Sequence, residues 1–156
     1  MSHTITITNE AIMERCKKLS AYEGGETYSR SGESRYADIL ITRQEESLVL
    51  DFISQAVQDT YNMLERLISS TTAVEGKALK WTMREDILWP ASKNAALLDK
   101  HIEETIVAYV MSHWLNMKGS DRSAFYEGMY QNYLKLVMDN AFASDAPKKH
   151  RTIYGM

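Results

Sequence analysis

The chain has 156 residues, 44% of them hydrophobic and 25% charged, and 18 Lys plus Arg against 21 Asp plus Glu give a net charge of -3. That is enough for one domain, and the fractions exclude wholesale disorder and fibrous repeats. A lone cysteine, Cys16, excludes an intramolecular disulfide and a cysteine-only zinc site, while 2 prolines and 7 glycines disfavour a loop-dense β sandwich.

Thr4 to Thr8 read Thr-Ile-Thr-Ile-Thr, the period of a half-buried strand. Asn9 follows as an N-cap whose side-chain oxygen accepts an orphan amide of the first helical turn. Ile12, Cys16 and Leu19 recur at helical spacing, and Gly24-Gly25 is a stop signal, so the spacing predicts a first helix over residues 10 to about 21. Residues 23–35 (EGGETYSRSGESR) are polar and rich in Gly and Ser. Such a stretch buries almost nothing and is expected to be a flexible loop, either a plain connector or a binding loop that orders on assembly.

A second helix is predicted from residue 43 to about residue 69, opened by the capping box of Thr42 and Glu45. Val49, Ile53, Val57, Leu64 and Ile68 form one apolar stripe, with Leu48, Phe52, Ala56, Met63 and Leu67 beside it. At 1.5 Å per residue it would reach roughly 40 Å, with an arc wide enough for two neighbours. The period then changes. Residues 69–74 are small and β-branched, Glu75-Gly76 is a turn signal, and Leu79, Trp81 and Met83 alternate with Lys80, Thr82 and Arg84. This predicts a β-hairpin, to which the N-terminal strand can pair.

Ser92 is expected to cap a third helix ending near Met117, with Gly119 just beyond it. Residues 106–111 (IVAYVM) are apolar on every side, so this helix is either central to the fold or covered by another subunit. A fourth helix starts near Asp121 and carries Phe125, Met129, Tyr133, Leu136 and Val137 on one side, with Tyr126 and Tyr130 widening that face. The reading is a mainly α fold: a four-helix bundle-like domain over residues 1–146, with a small β-hairpin and an N-terminal strand. An extended basic tail, residues 147–156, follows.

Charge gives little hint of a nucleic-acid partner. Residues 1–78 hold 8 basic and 12 acidic side chains and residues 79–156 hold 10 and 9, so neither half has the positive field of a non-specific binder. The tail's cluster of Lys148, Lys149, His150 and Arg151 is short and has no interleaved aromatic for base stacking. The first ten residues lack an apolar signal region, and no run approaches 18 apolar residues, so no leader and no membrane span are expected.

The phosphate-cradling, nucleophile-elbow and zinc-helix motifs are all missing. His101 and Glu104, three apart on the third helix, share a face and could reach one metal ion, but two ligands from one helix make no site, and the pair reads better as a surface hydrogen bond. Cys16 sits on an apolar stripe and reads as packing. His113, beside Trp114, reads as a satisfied, partly buried histidine. A site assembled from His101, Glu104 and Tyr109 is the weaker enzymatic option; the expectation is no enzyme, no cofactor and no metal. The 9 tyrosines stand out, because a rigid ring with a wet hydroxyl suits interfaces. Tyr126, Tyr130, Trp81, Tyr154 and the basic cluster at 148–151 are the candidate partner-binding residues.

The capped long helix (TRQEESLVLDFISQAVQDTYNMLERLIS), the apolar helix (ALLDKHIEETIVAYVMSHWLNM), the Tyr-rich helix (SAFYEGMYQNYLKLVMDNAF) and the basic end (PKKHRTIYGM) together resemble one family. The layout over most of residues 42–156 is similar to that of the head–tail connector, or adaptor, proteins of tailed bacteriophages and prophages. The resemblance implies a structural virion protein without a catalytic site, forming a homo-oligomeric ring, commonly twelve-membered, under the portal. Residues 148–155 would be the arm docking on portal or tail proteins, and the loop 23–35 or the hairpin near Trp81 would touch neighbouring copies. The location implied is the virion neck. The alternative is a cytoplasmic helical interaction module, a small dimeric regulator or adaptor.

Overall fold

The computed structural model describes residues 3–26, 32, 35–74, 78–84 and 95–142. In chain order these form strand β1 (Thr4–Thr8), helix α1 (Asn9–Glu26), a single-turn helix α2 (Tyr36–Ile39), helix α3 (Glu46–Leu64), strands β2 (Ile68–Val74) and β3 (Ala78–Met83), and helices α4 (Ala95–Met117) and α5 (Ser123–Phe142). The fold is mainly α, four long helices with a small sheet, as the sequence predicts.

The alternation of Ile and Thr places β1 as expected. Ile5 and Ile7 are buried, while Thr4 and Thr6 face water. β1 pairs with β3 and β3 with β2, all antiparallel, in the order β1-β3-β2. Ile5 lies opposite Trp81, so both side chains enter the core on one face, and Trp81 meets the edge of Tyr61 from α3 at 5.6 Å. A register shift between Ile68 and Ser70 leaves Ser69 pointing outward, its hydroxyl donating to Thr82 O at 3.1 Å.

Several elements run differently from the sequence expectation. The capping box is present, with Thr42 N and Oγ1 both donating to Glu45 Oε1 at 3.2 and 2.9 Å. It opens a 3-10 turn (Arg43–Glu45) before α3, and a second such turn (Glu65–Leu67) ends the helix at Leu64 rather than near residue 69. Ile68 therefore leads the strand, where its β-branched side chain is still buried. α1 continues through Gly24-Gly25 to Glu26. The glycine pair does not stop it because Gly24 serves a close crossing: a Cβ there would lie 3.0 Å from Tyr36 Cα and 3.1 Å from Tyr36 O. The expected start of α4 at Ser92 falls outside the described residues.

α4 is the central helix. Ile106, Val107, Ala108, Val110 and Met111 are buried within one copy, against α1, α3, α5 and β1. The apolar run is thus covered by the chain's own helices and does not call for another subunit. Gly119, at φ +71°, closes α4: Ser120 N bonds Leu115 O at 2.9 Å and Gly119 N bonds Asn116 O at 3.0 Å. α5 then turns back antiparallel along α4. Its inward line is Tyr126, Val137 and Ala141, with Met129 and Tyr133 half-buried. Phe125 and Leu136, expected to face inward, are exposed instead, because Tyr126 takes the inner position at the start of the helix.

Candidate interaction surface

The helices have a sheet end and a distal end. The distal end gathers the end of α1, α2, the start of α3 and the α4–α5 turn. Four polar contacts lock these segments together. Trp114 Nε1 donates to Ile39 O at 2.7 Å, and Lys118 Nζ reaches Glu45 at 2.8 Å while lying over the Trp114 ring. Arg35 Nη2 donates to Lys118 O at 2.6 Å while also pairing with Asp38. Ser20 Oγ accepts from Ile41 N at 3.1 Å and donates to Lys17 O.

A fifth lock at this end is a buried ion pair. Glu23, 1% exposed, accepts from Arg122 Nε at 2.8 Å, from Arg122 Nη2 at 3.2 Å and from Tyr126 Oη at 2.8 Å. The carboxylate is thus held by a two-pronged guanidinium and a phenol, the arrangement that satisfies a buried charge. Burial and the Glu23 carboxylate together push the Tyr126 hydroxyl well above its ordinary value, so it stays a donor. Arg122 in turn lies over the Phe125 ring, 4.2 Å from its centroid. The polar, Gly-rich sequence predicts residue 23 in a loop; instead it is helical and buried, because its partners sit about a hundred residues later.

This locked end carries most of the exposed large hydrophobic side chains among the described residues. Of the eight large hydrophobic side chains exposed among the described residues, six lie here: Tyr22, Tyr36, Leu48, Leu50, Met117 and Phe125. Tyr22 is 62% and Phe125 49% exposed. Beside them runs a groove of about 180 Å³ between α1, α4 and α5, floored by Leu19, Val107, Ala108 and Met129 and closed at one side by the Arg15–Glu104 pair. Aromatic rings, aliphatic neighbours and an arginine on a rigid frame have the composition of a protein-contact surface.

The residues singled out from sequence fall elsewhere. Trp81 and Tyr126 are 1% and 3% exposed, so both are core side chains rather than contact residues: the first fills the sheet–α3 junction, the second completes the Glu23 clasp. Tyr130 is half-buried, its ring edge-on to Tyr109 at 5.5 Å. Burial first, and then the Asp59 charge, raise both tyrosines above their ordinary values. Lys148, Lys149, His150, Arg151 and Tyr154, and most of the loop 23–35, lie outside the described residues. Cys16 is fully buried, and burial pushes its thiol up to about 12, too high for a nucleophile at neutral pH.

His101 and Glu104 do not pair with each other. Arg15 holds Glu104, and His101 faces the Tyr133 ring at 5.9 Å. Among the described residues no three metal-ligating side chains converge, and no helix is long and apolar enough to cross a membrane. His113 is exposed rather than partly buried; its Nδ1 lies 2.9 Å from Tyr109 O and its ring stacks on Tyr109. The signal that would have found the distal surface is positional: Tyr22, Met117 and Phe125 lie near the ends of their helices, next to chain turns. Compared with known proteins, the chain matches no family model, no curated protein and no solved structure.

Proposed function

We propose that this chain is an assembly protein that works by packing against other protein chains, as a ring subunit of a phage head–tail connector docking under the portal. The observation that carries the reading is the gathering of Tyr22, Tyr36, Met117 and Phe125, exposed, on one end of a bundle whose backbone is pinned by buried polar contacts. A surface already rigid loses little conformational freedom on binding, which favours stable contacts over transient ones. In this reading the distal end, not Trp81 or Tyr126, faces the neighbouring chain.

The test is the oligomeric state of the full chain, by analytical ultracentrifugation from sub-micromolar to high micromolar concentration. The expected result is a closed oligomer of more than two copies that is weakened by Tyr22→Ser with Met117→Ser, at unchanged Tm. A monomer throughout that range overturns the ring. Assembly that stops at two copies favours a small dimeric interaction module instead.

A further inference from the structure

Among the described residues β1 is an edge strand, and it lies beside a small groove bordered by two carboxylates. Met83 N bonds His3 O at 2.8 Å, which sets the phase of the antiparallel ladder: Ile5 and Ile7 exchange backbone bonds with Trp81 and Leu79. The N–H and C=O groups of Thr4 and Thr6 therefore point the other way, where no strand among the described residues pairs with β1. An edge of this kind is a template for another extended segment. Next to it a small groove of about 60 Å³ is lined by Thr6, Thr8, Ile12, Asp99, Ile102 and Glu103. Asp99 Oδ1 lies 2.7 Å from His3 Nε2, and Glu103 is only loosely met by Arg15 at 3.4 Å, so two carboxylates border the edge.

The chain carries a matching segment. The 14 residues after Phe142 include Lys148, Lys149 and Arg151, followed by Thr152, Ile153 and Tyr154, three residue types favoured in strands. α5 ends near the right place, since the Arg66 guanidinium, two residues before β2, lies 5.3 Å from the Phe142 ring centroid. Ile68, Met83 and His3 stand in one row across the sheet, and two ladder spacings put β1 about 10 Å from β2. Eight extended residues, 143–150, reach about 26 Å, enough to cross that distance.

We propose that residues 151–154 of the same chain add to the outer edge of β1 as a fourth strand, with Lys148, Lys149 and Arg151 beside Asp99 and Glu103. The short tether favours the chain's own tail over that of a second copy, because its effective concentration is in the millimolar range. This inference stands apart from the assembly reading, which rests on the opposite end of the molecule.

Amide hydrogen exchange on the full chain, resolved by NMR, tests it. Thr6 N–H has no partner on β3, so fast exchange is its fate without the tail. Docking slows it by about 100-fold, toward the rates of Ile5 and Ile7, which serve as internal controls of the fold. Thr152→Pro with Tyr154→Pro removes the added strand's donors and returns Thr6 to fast exchange while Ile5 and Ile7 stay slow. Glu103→Gln reduces the protection, as does added salt. Fast exchange at Thr6 in the unmodified chain, or protection that survives both prolines, overturns the proposal. Protection that disappears on tenfold dilution also overturns it, by assigning the strand to another copy.

Discussion

Replacing Arg122 with Met removes both guanidinium bonds to Glu23 while keeping much of the stem that packs on Phe125. Glu23 is then a 1% exposed carboxylate that keeps the Tyr126 hydroxyl but has lost its guanidinium. Breaking a fully buried pair in this way costs about 3–5 kcal/mol. Arg122 is 43% exposed, so water screens part of the interaction and about 2 kcal/mol is the expected loss. With a urea slope of about 2 kcal/mol/M, the unfolding midpoint should fall by about 1 M. Glu23→Leu combined with Arg122→Met leaves no stranded charge, so the double variant should recover part of the loss, with a coupling of about 1–2 kcal/mol between the two sites. The assay is equilibrium urea unfolding at neutral pH, followed by far-UV circular dichroism. A midpoint for Arg122→Met within about 0.2 M of the parent, or strictly additive single and double variants, would refute the clasp as a stabilising element.

The two adjacent glycines of α1 should respond in opposite directions. Gly24→Ala places a methyl 3.0 Å from the Tyr36 backbone and should destabilise by about 1–3 kcal/mol, whereas Gly25→Ala meets nothing within 4 Å and should stabilise by up to about 1 kcal/mol, both read as thermal midpoints. Cys16 should resist a thiol-specific disulfide reagent in the folded chain and react only at the rate of unfolding; rapid labelling would contradict its burial. Burial opposes ionisation of Glu45, but Lys118 and the Thr42 hydroxyl and amide outweigh it and hold the carboxyl below its ordinary value. The folded chain therefore binds this proton less tightly than the unfolded one, and the stability it brings is present above the ordinary glutamate range and lost as pH falls below it. Glu45→Gln should flatten the stability profile between about pH 5 and pH 3, and an unchanged slope there would count against the Lys118 contact.

Elements set by local rules were legible in the sequence. The Thr-Ile alternation of β1, the Thr42–Glu45 box, the hairpin and the glycine stop at Gly119 each depend on neighbours within a few residues, and each stands in the fold. What was not legible depends on partners far away in sequence. Glu23 looks like a loop residue until Arg122 and Tyr126 arrive to hold it, and Gly24 looks like a helix stop until Tyr36 crosses over it. The side of α5 that faces inward could not be read from spacing, because Phe125 and Tyr126 are adjacent aromatics and only the buried carboxylate decides between them. The same contact turned Tyr126 from an interface candidate into a core residue. The distal surface escaped notice for the converse reason: its members come from five separate segments and share no period.

The pairing of Thr4 with Thr82 also has a consequence for synthesis. β1 leaves the ribosome before β3, and the strand that completes it is made only after about 80 further residues. At bacterial to eukaryotic elongation rates of about 5–20 residues per second, Ile5 and Ile7 wait some 4–16 seconds for their cover. During that interval the nascent chain presents a ready-made sticky ribbon, and the alternating threonines are what keep half of it compatible with water.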